Sequence, residues 1–389
     1  MSKIIEDIVI VGGGPVGATL ALLLAKQGVA VTVLEARKQG AAYAESRALA
    51  LSYGSRRILE KLGVWCELAK SATAINTIHV SQKGSFGRSK LQASDYNQEA
   101  LGYVLSYGAL SEALDTALAR ESAVNFIFEA SAERITHTST HASVGYTLQG
   151  ELNVVDSQLV VLADGGRSID EIAGLIKETK EYGHDALISK VRAELPHHHI
   201  AYERFTANGP MALLPNGERD FSLVWTGKKA YVDSLLALSD AEFLTQFHEQ
   251  FGDRVGQFLS VEKRMAFPLK LSQLKAADTP HLVVIGNAAQ TMHPVAGQGF
   301  NVGLRDAESL AQHVLATSPE MVGGNQMLSA YQASRQSDTK NGLLFTDFLV
   351  NIFTNDIIGV GGLRSIGLGL FDVIKPIKQH LVAKMSYGK

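Results

Sequence analysis

The chain has 389 residues, which at roughly 150 per domain suggests two or three folding units with a sizeable core. Apolar residues make up 46% and charged residues 19%, too apolar for disorder, and a net charge of −3 argues against a nucleic-acid binder. Cys66 is the only cysteine, which excludes an internal disulfide and a thiolate metal cluster and fits a reducing compartment.

The first residues carry neither the basic segment nor the small-residue cleavage site of a secretory signal. No window holds the ~20 apolar residues of a membrane-spanning helix. A soluble, cytoplasmic protein is expected.

Ile8 to Val11 is a β-branched run of the kind that forms a buried parallel strand. Gly12-Gly13-Gly14-Pro15-Val16-Gly17 follows, then an Ala/Leu-rich helix over Ala18 to Gln27, closed by Gly28. Val29 to Leu34 is a second strand, ending at Glu35. Glycines 12, 14 and 17 stand in a G-x-G-x-x-G frame inside a complete βαβ unit, the pattern of a dinucleotide fold. Gly12 allows the tight turn, Gly14 lets backbone approach a pyrophosphate, and Gly17 lets helix and strand pack closely. Pro15 suits a first helical turn, and the remaining N–H groups face an anion. A carboxylate at Glu35 is placed to accept ribose hydroxyls and would repel a 2′-phosphate. FAD and NAD both remain open at this point.

Further along, Ile75 to Leu91 and Asp185 to Met265 read as strands, most clearly in Ala212-Leu-Leu-Pro and Phe221-Ser-Leu-Val-Trp225. Leu159 to Ala163 is an apolar strand leading into Asp164-Gly165-Gly166-Arg167-Ser168, which by itself is an ordinary turn. His281 to Ile285 is another, leading into a glycine-rich loop from Gly286 to Asn301. Val302 to Leu315 has helical spacing, so a second helix N-terminus faces an anion.

Three features read as structural. His197-His198-His199 in a strand would point to alternate faces, and no metal is expected. Cys66 after Trp65 reads as a small hydrophobe packed in an apolar helix. Gly359-Val-Gly-Gly-Leu-Arg-Ser-Ile-Gly is misframed for a second dinucleotide motif, which argues against a two-domain reductase. The tail from Leu343 to Met385 reads as closing helices, with contact to a membrane surface or a partner as the alternative.

The glycine motif with Glu35, Glu45-Ser-Arg-Ala-Leu-Ala-Leu-Ser52, Ala163-Asp-Gly165, the Gly286 to Asp306 segment and Tyr331-Gln-Ala-Ser-Arg335-Gln-Ser-Asp338 together resemble the group A flavoprotein monooxygenases of the para-hydroxybenzoate hydroxylase fold. Within these, the chain is similar to the ubiquinone-biosynthesis hydroxylases, and Gly286 to Asp306 looks most like the 2-octaprenyl-6-methoxyphenol hydroxylase branch. The matches span nearly the whole chain in family order.

The resemblance implies an α/β fold: a Rossmann-like FAD-binding domain of the GR2 type, an inserted, mostly β substrate domain, and C-terminal helices. The FAD domain would be discontinuous, comprising residues 1–75, 100–180 and 270–335; residues 76–99 and 185–265 would form the substrate domain, and 336–389 the helical end. FAD would be held by Gly12, Gly14, Pro15, Val16 and Gly17, and by Glu35, Ala36 and Arg37. Asp164 and Gly165 would lie near the pyrophosphate and the NAD(P)H path, with Arg47 beside the flavin. Gly286, Asn287, Gly297, Gln298, Gly299, Phe300 and Asn301 would complete the site, the segment from Pro294 wrapping the ring edge. Most relatives have Gly-Asp where this chain has Gly286-Asn287; Asn keeps hydrogen bonding but loses the charge, and reads as a subfamily trait.

The implied reaction is hydroxylation of a polyprenylated phenol on the route to ubiquinone. NAD(P)H would reduce the flavin, O2 would add at its C4a, and the hydroperoxide would pass a hydroxyl to the ring. The cofactor carries this chemistry, so no catalytic residue is named; His293 and Pro294 are candidates for contact with flavin or substrate. Contact with the inner face of the membrane, or with a ubiquinone-biosynthesis complex, would supply the substrate. The alternatives are a hydroxylase of another ring position or of a soluble aromatic, a flavin reductase of prenyl double bonds, and a non-enzymatic FAD-binding or prenyl-binding scaffold.

Overall fold

A computed structural model describes residues 5–84, 88–169, 172, 175–275, 279–291, 298–336, 379, 382, 383, 386 and 387. The strand Ile5–Val11 begins three residues earlier than its apolar run and is followed by the helix Pro15–Ala25, which has Pro at its start. Nine of that helix's residues are buried, because it lies between a sheet and two further helices. This accounts for a composition that is apolar on almost every side.

The first sheet has seven strands. Val124–Phe128, Val31–Glu35, Ile5–Val11, the far half of Glu151–Leu162, and Leu282–Val284 run parallel, in that order. The near half of Glu151–Leu162 turns outward to pair antiparallel with Ala142–Leu148, which in turn pairs with Ala130–His137. Parallel alignment brings the carboxyl ends of four strands to one edge, at Gly12, Ala36, Ala163 and Ile285. Ligands of open α/β sheets bind at that edge.

The second sheet has nine strands. Its centre is Ile176–Ala193, Asp220–Lys228 and Gly209–Pro215, all antiparallel. Ile200–Thr206 follows and pairs parallel with Thr77–Gln82, which carries the edge strand Arg88–Gln92. Met265–Lys275 pairs on the other side. A three-stranded sheet of Ala48–Ser52, Gly102–Ser106 and Thr73–Ile75 packs between the two, with Ile75 and Val104 against Ala201.

Residues 185–265 are not all strand: Lys229–Ala237 and Asp240–Phe251 are helices covering one face of the second sheet. Phe243, Phe247 and Phe251 recur at helical spacing and are fully buried against Trp225, while Ser239 and Glu242 form a capping box. The histidine triplet is likewise not in a strand. It forms a turn in which His198 and His199 have positive φ (49° and 59°) and His197 is buried, its Nε2 meeting the Gly217 carbonyl. Among the described residues no group of His, Cys, Asp or Glu could hold a metal. Cys66 is exposed, contrary to its reading as a packed side chain. The helix Trp65–Leu68 has a single turn; it turns Trp65 and Leu68 inward and leaves Cys66 outside.

The expected helix after the flavin motif is present over residues 325–336. Most of the tail from Leu343, including the Gly359 segment, lies outside the described residues. Within it, Val382 packs on Leu91 and Leu101, and the Ser386 carbonyl accepts a hydrogen bond from Ser52 Oγ.

Candidate active site

A cleft of about 330 Å³ opens at the carboxyl edge of the parallel strands. Its floor is the glycine turn. Gly12 has φ +102°, and a Cβ there would lie 2.7 Å from the Asp164 backbone. At Gly17 a Cβ would lie 2.0 Å from the Gly12 carbonyl oxygen, so helix and strand meet only because both positions lack a side chain. Gly14 is the N-cap of Pro15–Ala25, and no side chain caps the helix. The open space above Gly14 reaches the Tyr107 hydroxyl 3.6 Å from a Cβ placed there.

Glu35 is 5% exposed at the end of its strand. Its Oε2 accepts from the Gly13 amide at 2.8 Å; its Oε1 accepts from the Arg37 amide at 2.8 Å and from Arg37 Nε at 2.9 Å. Arg37 Nη2 adds a longer bond to Oε2 at 3.3 Å. Burial works to raise the carboxyl pKa, but Arg37 and the Gly13 amide outweigh it and hold the group below its ordinary 4.5. The same pairing raises the Arg37 guanidinium. The Gly13 amide and Arg37 thus fill the lone-pair sites of both Glu35 oxygens.

Arg47 pairs with Glu45 at 2.9 Å and lies over the Tyr107 ring, 4.8 Å from its centroid. Asp164 lines the cleft but turns its carboxylate into its own loop. Oδ1 accepts from the Gly166 amide, and Oδ2 from the Ser168 amide and hydroxyl, at 2.7 to 2.9 Å. It therefore shapes the turn that presents Gly165 and Arg167. On the opposite wall the Gly286 amide donates to Asp306 Oδ2 at 3.1 Å, and Arg335 Nε donates to Oδ1 at 2.7 Å. This buried pair fixes the loop that exposes Asn287 to the cleft.

Of the residues expected to bind cofactor, Gly12, Gly14, Pro15, Val16, Glu35, Ala36, Arg37, Arg47, Asp164, Gly165, Gly286, Asn287 and Phe300 line this one cleft. Gly17 lies behind it as a packing contact. Gln298 and Gly299 open the helix Gln298–Leu315, which starts earlier than its spacing suggested. Asn301 is buried: it accepts from the Ser52 amide and donates to the Ala50 carbonyl, tying that helix to the small sheet. His293, Pro294 and Gly297 lie outside the described residues. Tyr107, Arg167, Ser168 and the Ala130–Ala132 stretch also line the cleft and were not selected from sequence. Arg167 and Ser168 adjoin a recognised turn, whereas nothing local marks Tyr107.

These residues fit a dinucleotide. An uncapped helix N-terminus, a floor without side chains and three arginines surround the cleft, while its two carboxylates are engaged by protein N–H and O–H groups. A parallel sheet with such a cleft, joined to a large antiparallel sheet, is a frame shared with FAD-dependent monooxygenases, and the chain's similarity to named hydroxylases makes it an enzyme of that class.

The chain belongs to the FAD binding domain family, whose model matches residues 6–343. It is 34% identical to the ubiquinone hydroxylase UbiL of Rhodospirillum rubrum, over 99% of this chain and 91% of that protein. It is 29% identical to the 3-demethoxyubiquinol 3-hydroxylase of Escherichia coli, over 93% of each. Among solved structures, the p-nitrophenol 4-monooxygenase PnpA of Pseudomonas putida shares the fold, with a TM-score of 0.81, 18% identity and 99% coverage of both chains.

Proposed function

We propose that this enzyme hydroxylates the phenol ring of a polyprenylated ubiquinone precursor, taking electrons from NAD(P)H and one oxygen atom from O2. The observation that carries this reading is full-length similarity to enzymes named as ubiquinone hydroxylases, combined with a dinucleotide cleft at the carboxyl edge of a parallel sheet. When bound, FAD supplies hydride acceptance and oxygen activation.

The chain's own residues have narrower tasks. Backbone N–H groups at Gly14 and the uncapped start of Pro15–Ala25 would hold the pyrophosphate, with Arg37 and Arg167 adding charge. Arg47, steadied by Glu45 and Tyr107, stands where a nicotinamide or its phosphates would approach. Asn287 offers hydrogen bonds without charge, and Phe300 would help to exclude water. His293, Pro294 and Gly297 are assigned to the flavin edge by resemblance. The substrate wall is assigned to 76–99 and 185–265, the division read from sequence, together with the rest of Ile176–Ala193 and Met265–Lys275, which pair in the same sheet. Among the described residues no helix is long and apolar enough to cross a membrane. A lipid-dissolved substrate would be met at a bilayer surface.

The test is turnover of a short-chain prenylphenol with NAD(P)H and isotopically labelled O2. Label at a ring carbon of the product supports hydroxylation. Reoxidation of reduced flavin with no labelled product for any phenol overturns it and favours a prenyl reductase or scaffold.

A further inference from the structure

Strand pairing sets Val80, Glu203, Ala212, Val224, Ile188 and Met265 side by side across the second sheet. Successive residues of a strand face opposite ways, so this row lies on the face away from Trp225 and the two helices. Tyr202, the neighbour of Glu203, belongs to that helix-covered core. Ala201, two residues before Glu203 and on its face, is buried against Ala48, Ile75 and Val104 of the small sheet. Through Ala201 this face of the sheet packs on the small sheet whose strand Ala48–Ser52 begins next to Arg47 of the cleft wall.

Every residue of the row but one is apolar. The flanking strands add Ile78, Val80 and Gln82 on one side and Pro210, Ala212 and Leu214 on the other, none of them titratable. The small-sheet residues that pack on Ala201 are apolar as well. Glu203 is half-buried there, and no hydrogen bond or charge compensates its carboxyl among the described residues. Burial alone pushes it up to about 8. An uncompensated carboxyl on an apolar wall costs stability, and groups perturbed in this way cluster at binding and catalytic sites.

We propose that Glu203 receives the ring hydroxyl of the phenol substrate, the phenol O–H donating to a carboxyl oxygen while the apolar row on either side accommodates the ring and the start of its prenyl chain. This rests on the phenol reading above and adds to it the residue that distinguishes a phenol from its methyl ether. The contact is stronger when the carboxyl is charged, since charge-assisted hydrogen bonds are roughly twice as strong as neutral ones.

The test titrates 2-geranylphenol and its methyl ether into the FAD-loaded enzyme, following the flavin absorbance. The enzyme should bind the phenol about tenfold more tightly than the ether, the scale of one hydrogen bond to a charged group. That preference should grow as pH rises through about 8. In Glu203→Val the preference should vanish with the ether's affinity unchanged, and in Glu203→Gln it should no longer vary with pH. A preference that survives in Glu203→Val, or a pH dependence that survives in Glu203→Gln, overturns the assignment. Should Glu203→Val fail to retain FAD, Glu203→Gln decides. If neither compound binds and no labelled product forms, the phenol reading falls and this one with it. Labelled product with the preference intact in both variants removes Glu203 alone.

Discussion

The glycine cleft and the helix-covered face of the antiparallel sheet are built in opposite ways. The cleft is made by leaving side chains out: Gly12 and Gly17 bring backbone against backbone, and Gly14 leaves the helix N-terminus open. The covered face is made by filling space: Trp225, Phe221, Phe243, Phe247 and Phe251 are fully buried, with Trp225 ring centroids 6.0 and 5.8 Å from Phe243 and Phe247. One region derives its function from backbone geometry and the other its stability from apolar area, so damage to each should be read out by different measurements.

Trp225→Ala gives the largest expected loss, about 3–5 kcal/mol of unfolding free energy for removal of a buried aromatic. Denaturant titration measures it, and FAD affinity of the folded fraction should stay within about twofold, because sites this separate add independently. A large loss of FAD affinity would break the division between the regions. Gly17→Ala should cost about 1–3 kcal/mol through overpacking against the Gly12 carbonyl, and here FAD affinity should fall by tenfold or so. Fluorescence titration of FAD would show it, and unchanged affinity would mean the helix can move away from the strand without harm.

The smallest effect is a pH slope. Glu35 titrates below its unfolded value, so its stabilisation is present above the ordinary pKa of 4.5 and is lost as pH falls below it. Glu35→Gln should therefore flatten the decline in stability on acidification below that pH, measured by denaturant unfolding at a series of pH values. An unchanged slope would show that the Arg37 pairing does not persist in solution.

Local order was legible wherever chemistry and sequence neighbourhood coincide. The βαβ unit, the glycine turn, Glu35 and the strand leading to Asp164 are short-range patterns, and their backbone geometry follows from residues a few positions apart. Even there, the role of the Asp164 carboxylate in its own loop was decided by the Gly166 and Ser168 amides. The helices at Lys229–Ala237 and Asp240–Phe251 are masked in sequence by the strand patterns on either side, although Phe243, Phe247 and Phe251 stand at helical spacing.

By itself the amino-acid sequence determined the dinucleotide motif, its acidic partner and the family, since each depends on local spacing or on ordered motifs. Only the tertiary structure decided that Tyr107 meets Arg47, that Asp306 anchors the Gly286 loop together with Arg335, and that Glu203 stands in an apolar row assembled from strands far apart in the chain. Those relations are set by sheet register and helix packing between distant segments, which no local pattern encodes.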